Sequence, residues 1–123
     1  MNPQTTLNEN SPKVEVIDYG GGNIGSLLRA LQRLDIPYHV CDGSAGNQLS
    51  GALPMILPGV GAFGAVMQGL KNRSLVQPIQ SLVKQGTPYL GICVGLQVLF
   101  EGSEENPDVP GLGLLAGHVV RFK

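Results

Sequence analysis

Residues 87–100 read TPYLGICVGLQVLF, a short apolar run followed by a cysteine with a glycine two residues to either side. This is the thiol counterpart of the G-x-S-x-G nucleophile elbow, in which a sharp strand-to-helix turn exposes the nucleophile. Glycine fits beside so tight a turn because a side chain there would clash. The turn places the sulfur of Cys93 at a helix N-terminus, where free N–H groups favour the thiolate. We predict that Cys93 is a nucleophile; the alternative is a cysteine that only packs in the core.

The composition is that of a compact protein with little surface charge. The chain has 123 residues, of which 42% are hydrophobic and 14% charged, and its formal net charge is −1. This length suits one domain with a core of its own. The charge gives no reason to expect nucleic acid or an anionic membrane as a partner. No apolar run approaches the ~20 residues that span a bilayer, so neither partner is predicted.

The cysteine pattern bears on metal binding and on location. Cys41 and Cys93 lie in separate segments, with no C-x-x-C pair and no cysteine–histidine cluster along the sequence. A disulfide framework or a structural zinc site is therefore not expected, no cofactor is predicted, and a reducing cytoplasmic location fits best. Residues 1–13 read as a polar, disordered leader without the pattern of a secretory signal.

Strand and helix patterns alternate along the rest of the chain. The sequence predicts strands at 14–18, 37–41, 55–57, 89–92 and 117–122, helices at 24–34 (with Asn23 as N-cap), 62–71, 75–84 and 96–100, and a loop at 102–113. This order predicts an α/β fold, a three-layer, mainly parallel sheet with helices on both faces. In such sheets the ligand crevice lies outside the carboxyl ends of the strands. Because Gly20–Gly22, Pro58–Gly61 and Cys93 each follow a strand, we expect a site at that edge.

The segment Pro58–Gly61 reads PGVG and can supply an oxyanion hole. Backbone N–H groups left open by its glycines would stabilise the charge that develops on a carbonyl oxygen in acyl transfer, and losing one such donor costs on the order of 3 kcal/mol. The second donor would be the N–H of Val94, the residue after the nucleophile. The alternative is an ordinary loop.

Other candidate residues carry weaker signals. Gly20–Gly22 lacks the G-x-G-x-x-G spacing and the lysine of a phosphate loop, so a tight turn is favoured there over a phosphate site. His39 and His118 lie in strand patterns, and neither is obviously placed to activate Cys93. Three glutamates after the elbow are either solvated or available to a ligand amino group: Glu101, Glu104 and Glu105.

Three stretches together resemble one family: DYGGGN at 18–23, LPGVGAFG at 57–64 and LGICVGLQ at 90–97. They are similar to the glutaminase subunits of imidazole glycerol phosphate synthase, the HisH-type members of the class I (triad) glutamine amidotransferases. FEGSEE at 100–105 and GLGL at 111–114 fit as well. The cysteine turn alone would indicate only a class I amidotransferase. Sister families usually carry Pro-Gly-Gly where this chain has Pro-Gly-Val-Gly, so this segment points to the HisH type. It implies that residues 14–123 are the N-terminal portion of a type 1 glutamine amidotransferase domain.

The resemblance implies a glutaminase. Cys93 would attack the side-chain amide of glutamine, release ammonia and form a thioester that water then cleaves. The ammonia would pass to a cyclase partner, a (β/α)8 barrel, in histidine biosynthesis. The matching oxyanion-hole positions are Gly59, Val60 and Val94, and the Val60 peptide is expected to reorient when the partner is loaded. The positions that match glutamine-holding residues are Gln97 and Glu105.

One part of the family pattern has no match in this sequence. The triad needs a histidine and a glutamate from a late segment, and the sequence up to Lys123 does not contain that segment. Because removing a triad member costs several orders of magnitude in rate, we expect this chain alone to be a poor glutaminase. Two alternatives stay open. The chain could be a non-catalytic amidotransferase-like binding module, or an unrelated thiol hydrolase whose base is His39 or His118.

Overall fold

The computed structural model describes residues 11–21 and 24–123. Most of the predicted leader, and the predicted N-cap Asn23, lie outside the described residues. The elements are β1 (Val14–Ile17), α1 (Gly25–Arg33), β2 (Tyr38–Cys41), β3 (Met55–Gly59), α2 (Phe63–Asn72), α3 (Val76–Lys84), β4 (Tyr89–Cys93), α4 (Val94–Gln97), β5 (Gly102–Ser103) and β6 (His118–Val119). Across the described residues, no helix has the length and apolar character needed to cross a bilayer.

Strands β1 to β4 form one parallel sheet in the order β2-β1-β3-β4. Neighbouring side chains along a strand point to opposite faces, and β1 illustrates the result. Ile17 packs in a core with α2, α3 and α4, whereas Val16 packs in a second core with α1. The predicted three-layer α/β architecture, with helices on both faces of a parallel sheet, is confirmed.

The region after the elbow differs from the prediction. The helix predicted at 96–100 is instead the single turn Val94–Gln97. After it, the N–H of Phe100 bonds three residues back to the Gln97 carbonyl at 3.2 Å, and the N–H of Glu101 donates to the Gly117 carbonyl at 3.0 Å. The carbonyls of Val98 and Leu99 accept from the N–H groups of Leu112 and Leu114 at 2.7 and 2.8 Å. Bonds to the returning segment 112–117 therefore take the place of further helical bonds.

The predicted loop 102–113 and strand 117–122 also need correction. Gly102–Ser103 forms β5, which pairs in parallel with β6, and β6 spans only His118–Val119. Gly102 is buried against the His118 ring, and a side chain at Gly102 would press on that ring at about 3.0 Å. Two short strands in a separate sheet carry no periodic pattern, so the sequence does not reveal them.

Close backbone contacts hold α4 against the sheet. A Cβ atom on Gly95 would overlap the carbonyl of Leu57 in β3, and one on Gly91 would overlap the carbonyl of Gly95. A Cβ on Gly59 would lie 2.8 Å from the N atom of Gly95. Both glycines of the G-x-C-x-G pattern are thus required, because a side chain at either position would overlap the backbone.

We expect Gly95→Ala to destabilise the fold. Its methyl group would meet backbone atoms, which cannot rotate away, and overpacking of this kind costs about 1–3 kcal/mol or more. Denaturant unfolding measures the loss. The matched control is Gly64→Ala, where the new methyl meets only the side chain of Asn106 at 3.0 Å. An equal effect of both substitutions would contradict the packing argument.

Candidate active site

Cys93 is the last residue of β4, and α4 begins at the next residue. Its backbone angles are φ 56° and ψ −121°, outside the regions that non-glycine residues normally occupy. Such a conformation costs on the order of 1–3 kcal/mol and persists only where the surrounding packing imposes it. The thiol is exposed. The strained strand-to-helix turn that the glycine pattern predicts is therefore present, with the sulfur accessible.

The PGVG segment lies directly beside Cys93. Strands β3 and β4 are parallel neighbours, and Gly59 is the register partner of Cys93. Val60 follows Gly59 and is exposed, with 55% of its surface accessible. Val94 opens α4, so its N–H belongs to the first turn, which has no intrahelical acceptor. Two candidate oxyanion donors therefore flank the sulfur-bearing residue.

The Val60 peptide groups are held by Tyr19, a contact that the sequence analysis missed. The Val60 N–H donates to the Tyr19 hydroxyl at 3.1 Å, and the hydroxyl donates to the Val60 carbonyl at 3.0 Å. Tyr19 is itself buried in the core on the α2 side of the sheet. In this arrangement the Val60 N–H points to Tyr19 and is not available to an oxyanion.

Gln97 and Glu105 line the same cleft, which has a volume of about 670 Å³. The other lining residues are Ser103, Glu104, Val119, Val120 and Arg121. The Glu105 carboxylate has a second contact, because its Oε1 accepts a hydrogen bond from the N–H of Phe63 at 3.0 Å. The Asn106 side chain accepts from Gly64 N–H at 2.7 Å. Residues 105–106 thus cap the N-terminus of α2 from a distant loop.

The structure at Gly20 is a tight turn, as the sequence analysis favoured. Gly20 has a φ of 96°, and its N–H donates to the Asp18 carboxylate at 2.9 Å. The Arg73 guanidinium lies against it, in the space that a side chain would need. Gly22 lies outside the described residues.

Comparison with known proteins identifies the family. The family model described as glutamine amidotransferase class-I matches residues 15–113, which is most of the chain. The chain belongs to the class-I glutamine amidotransferase family. A solved structure titled "Crystal structure of glutamine amidotransferase" matches with a TM-score of 0.71 and 24% identity, over 88% of this chain and 56% of that one. At that identity the likeness supports the fold alone.

Three curated relatives of this chain share the name imidazole glycerol phosphate synthase subunit HisH. The protein from Geobacillus thermodenitrificans is 50% identical over 109 residues, covering 89% of this chain and 50% of the relative. The Deinococcus radiodurans protein is 44% identical over 118 residues, covering 96% and 54%. The Bacillus subtilis protein is 48% identical over 110 residues, covering 89% and 51%. The chain therefore spans about half the length of these relatives.

The two histidines of this chain make contacts away from Cys93. His39 lies on β2 with its ring nitrogens 3.3 Å from Glu15 and 3.4 Å from Asn47. His118 pairs with Gly102 in the small sheet. Within residues 11–21 and 24–123, no hydrogen bond or ion pair joins either histidine to Cys93.

Cys41 differs from Cys93 in its exposure to solvent. It is fully buried on β2, and its thiol donates to the Glu15 carboxylate at 3.3 Å. Burial, with the Glu15 charge as a further cause, raises the pKa of the Cys41 thiol far above its usual range. Since the thiolate is the reactive form, we expect Cys41 to react slowly with alkylating reagents in the folded protein.

We expect an alkylating reagent to modify Cys93 first. With iodoacetamide at neutral pH, mass spectrometry of proteolytic fragments is expected to find modified Cys93 while Cys41 stays intact, because only Cys93 is exposed. Cys41 becomes reactive when denaturant unfolds the chain. Equal labelling of both thiols in the folded protein would contradict the burial of Cys41.

Proposed function

We propose that this chain is the glutamine-hydrolysing part of an imidazole glycerol phosphate synthase, with Cys93 as the nucleophile. The observation that carries the proposal is the strained backbone of an exposed Cys93 beside Gly59, its register partner. The relatives named above are synthase subunits, which favours the glutaminase over a non-catalytic module. The recorded contacts of His39 and His118 lie away from Cys93, which disfavours a thiol hydrolase that uses either as its base.

The chemistry is acyl transfer to sulfur. The Cys93 thiolate attacks the side-chain carbonyl carbon of glutamine, and the carbonyl oxygen takes up negative charge. The C–N bond then breaks, the nitrogen leaves as ammonia once it has received a proton, and a γ-glutamyl thioester remains. Water attacks the thioester, releases glutamate and returns the thiol. Because each addition places charge on the same oxygen, donors fixed near it speed both steps.

The N–H of Val94 is a ready oxyanion donor, whereas that of Val60 is not. The Val60 N–H donates to the Tyr19 hydroxyl, so the peptide must turn before it can face the substrate oxygen. We propose that this turn occurs when the partner subunit is engaged. The cost is modest, since the net contribution of a hydrogen bond to stability is about 0.5–1.5 kcal/mol. Gly59 and Gly61 flank Val60 and leave the peptide free to rotate.

Glutamine is proposed to bind in the cleft that Gln97 and Glu105 share. The Glu105 carboxylate suits the α-ammonium group of the substrate, and the Gln97 amide can both donate and accept. The partner is a cyclase with a (β/α)8 barrel, which receives the ammonia. The free thiol of Cys93 fits the reducing cytoplasm as the setting of the reaction.

The proton carrier is proposed to be a histidine paired with a glutamate outside the matched residues. The curated relatives are about twice as long as the region they share with this chain, which leaves room for that pair. The chain alone then holds the nucleophile and the oxyanion donors without the group that protonates the leaving nitrogen.

We expect a diazo-ketone analogue of glutamine to label Cys93 in the purified chain, because the analogue needs the nucleophile and the glutamine cleft. Mass spectrometry gives the stoichiometry and the position. Cys93→Ser is expected to abolish labelling and Cys41→Ser to leave it unchanged. Glutamine hydrolysis by the chain alone is expected to be several orders of magnitude below that of a complete relative.

Two results would contradict this proposal. One is labelling that survives Cys93→Ser, since the reagent would then react elsewhere. The other is equal rates of labelling by iodoacetamide and by the glutamine analogue, with no protection by added glutamine. General thiol reactivity would then explain the labelling.

We expect Tyr19→Phe to raise the rate of labelling by the glutamine analogue several-fold. The substitution keeps the buried ring and removes the hydroxyl that holds both Val60 peptide groups. A loss of stability of about 1 kcal/mol, measured by denaturant unfolding, should accompany it. Tyr38→Phe is the control, since that buried hydroxyl contacts Gln32 in the other core. A slower rate in Tyr19→Phe would show that Tyr19 supports the productive conformation.

A further inference from the structure

We propose that Glu15, His39 and Cys41 form a zinc-binding site on the sheet, separate from the Cys93 centre. Glu15 and His39 are register partners on the neighbouring strands β1 and β2. His39 and Cys41 are two residues apart on β2, so both side chains point to the same face of the sheet as Glu15. Among the described residues, this is the one group of three histidine, cysteine or acidic side chains close enough to hold a metal ion.

The three ligand atoms already have the spacing that zinc requires. Glu15 Oε2 lies 3.3 Å from His39 Nδ1 and 3.3 Å from Cys41 Sγ, and Sγ lies 3.4 Å from Nδ1. A tetrahedral zinc ion with ordinary Zn–N, Zn–O and Zn–S bond lengths separates its ligand atoms by about 3.3–3.7 Å. An ion can therefore sit above this triangle with small adjustments of the side chains.

Hydrogen bonds outside the triangle hold the Glu15 carboxylate in place. Glu15 Oε1 accepts from the Ser50 N–H and from the Ser50 hydroxyl, each at 3.0 Å. Such outer contacts orient metal ligands and strengthen binding, commonly by 10–100-fold. The carboxylate is thus aimed at the triangle by a residue of the loop that follows β2.

The His39 ring is oriented in the same way. His39 Nε2 lies 3.4 Å from Asn47 Oδ1, and the Asn47 amide nitrogen donates to the Ser44 hydroxyl at 3.3 Å. That second bond turns the amide oxygen towards the ring, where it can accept the Nε2 proton when Nδ1 binds a metal. In the metal-free chain Nδ1 lies 3.3 Å from the Glu15 carboxylate, so binding of the ion would replace that contact.

The donor set selects a borderline-soft ion. One thiolate, one imidazole and one carboxylate suit zinc, whereas magnesium and calcium prefer oxygen ligands alone. On binding, the Cys41 thiol releases its proton to solvent, and a water molecule completes the four ligands. The charges of thiolate and carboxylate balance the dication. His39 retains 21% side-chain exposure, which gives the ion a path into a site whose other two ligands are buried.

The site lies at the opposite edge of the sheet from the nucleophile. Cys41 belongs to β2 and Cys93 to β4, the two outer strands of the order β2-β1-β3-β4. Zinc held there would join β1, β2 and the loop through Ser50. Its role is structural, and loss of the ion lowers stability without involving the Cys93 sulfur.

The test uses the purified chain, stripped with a chelator and titrated with Co²⁺ and then with Zn²⁺. We expect one ion per chain, an absorption band from thiolate-to-cobalt charge transfer that zinc abolishes, and a higher melting temperature with zinc. Cys93→Ser is the matched control and keeps the band. Cys41→Ser loses it, and His39→Gln binds at least about tenfold more weakly.

Several outcomes would overturn the proposal. They are the absence of the band in the unsubstituted chain, a band that disappears in Cys93→Ser, and unchanged affinity in His39→Gln. His39 is partly exposed, so its substitution leaves the buried core intact, and circular dichroism checks the fold of each variant. If Cys41→Ser fails to fold, His39→Gln together with the unsubstituted chain still decides the question.

Discussion

The site depends on one steric constraint, the lack of room for side chains where α4 meets strands β3 and β4. Gly95 lies against the Leu57 carbonyl, and Gly91 lies against the carbonyl of Gly95. The chain can make this approach only by turning sharply between them, and the residue at the turn is Cys93 with its positive φ. The strain at the cysteine is maintained by two neighbouring backbones that cannot separate without loss of the core.

At the same edge of the sheet, the contact between Tyr19 and Val60 fixes the direction of the Val60 N–H and carbonyl groups. A buried ring in the main core carries a hydroxyl that satisfies both peptide groups of an exposed residue between two glycines. The ring is fixed by packing, whereas Val60 lies at the surface between two glycines, which tolerate a wide range of backbone angles. In the proposed mechanism the Tyr19 contact holds the Val60 N–H away from the oxyanion, and a partner that binds the rotated form would shift the equilibrium towards it.

The sequence predicted the layers, the parallel order of strand and helix, and the strained turn, because each has a local signature. Apolar spacing marks the elements, and glycines at 91 and 95 mark the turn. It did not predict the Tyr19 contact, the Glu105 cap or the grouping of Glu15 with His39 and Cys41. These pairs are separated by 24 to 42 residues, and no local pattern reports on them. His39 and Cys41 are two residues apart on one strand, but the sequence analysis did not treat them as a cluster, because only strand pairing brings the third residue, Glu15, beside them.

The Glu105 cap links two regions that the chain keeps far apart in sequence. Its carboxylate oxygen lies 3.0 Å from the first amide of α2, and that helix begins two residues after Gly61, at the end of the oxyanion segment. The same carboxylate borders the cleft. An ammonium group bound at Glu105 would compete with the Phe63 N–H for the same carboxylate, so the proposed substrate site and the start of α2 would share one hydrogen-bond acceptor.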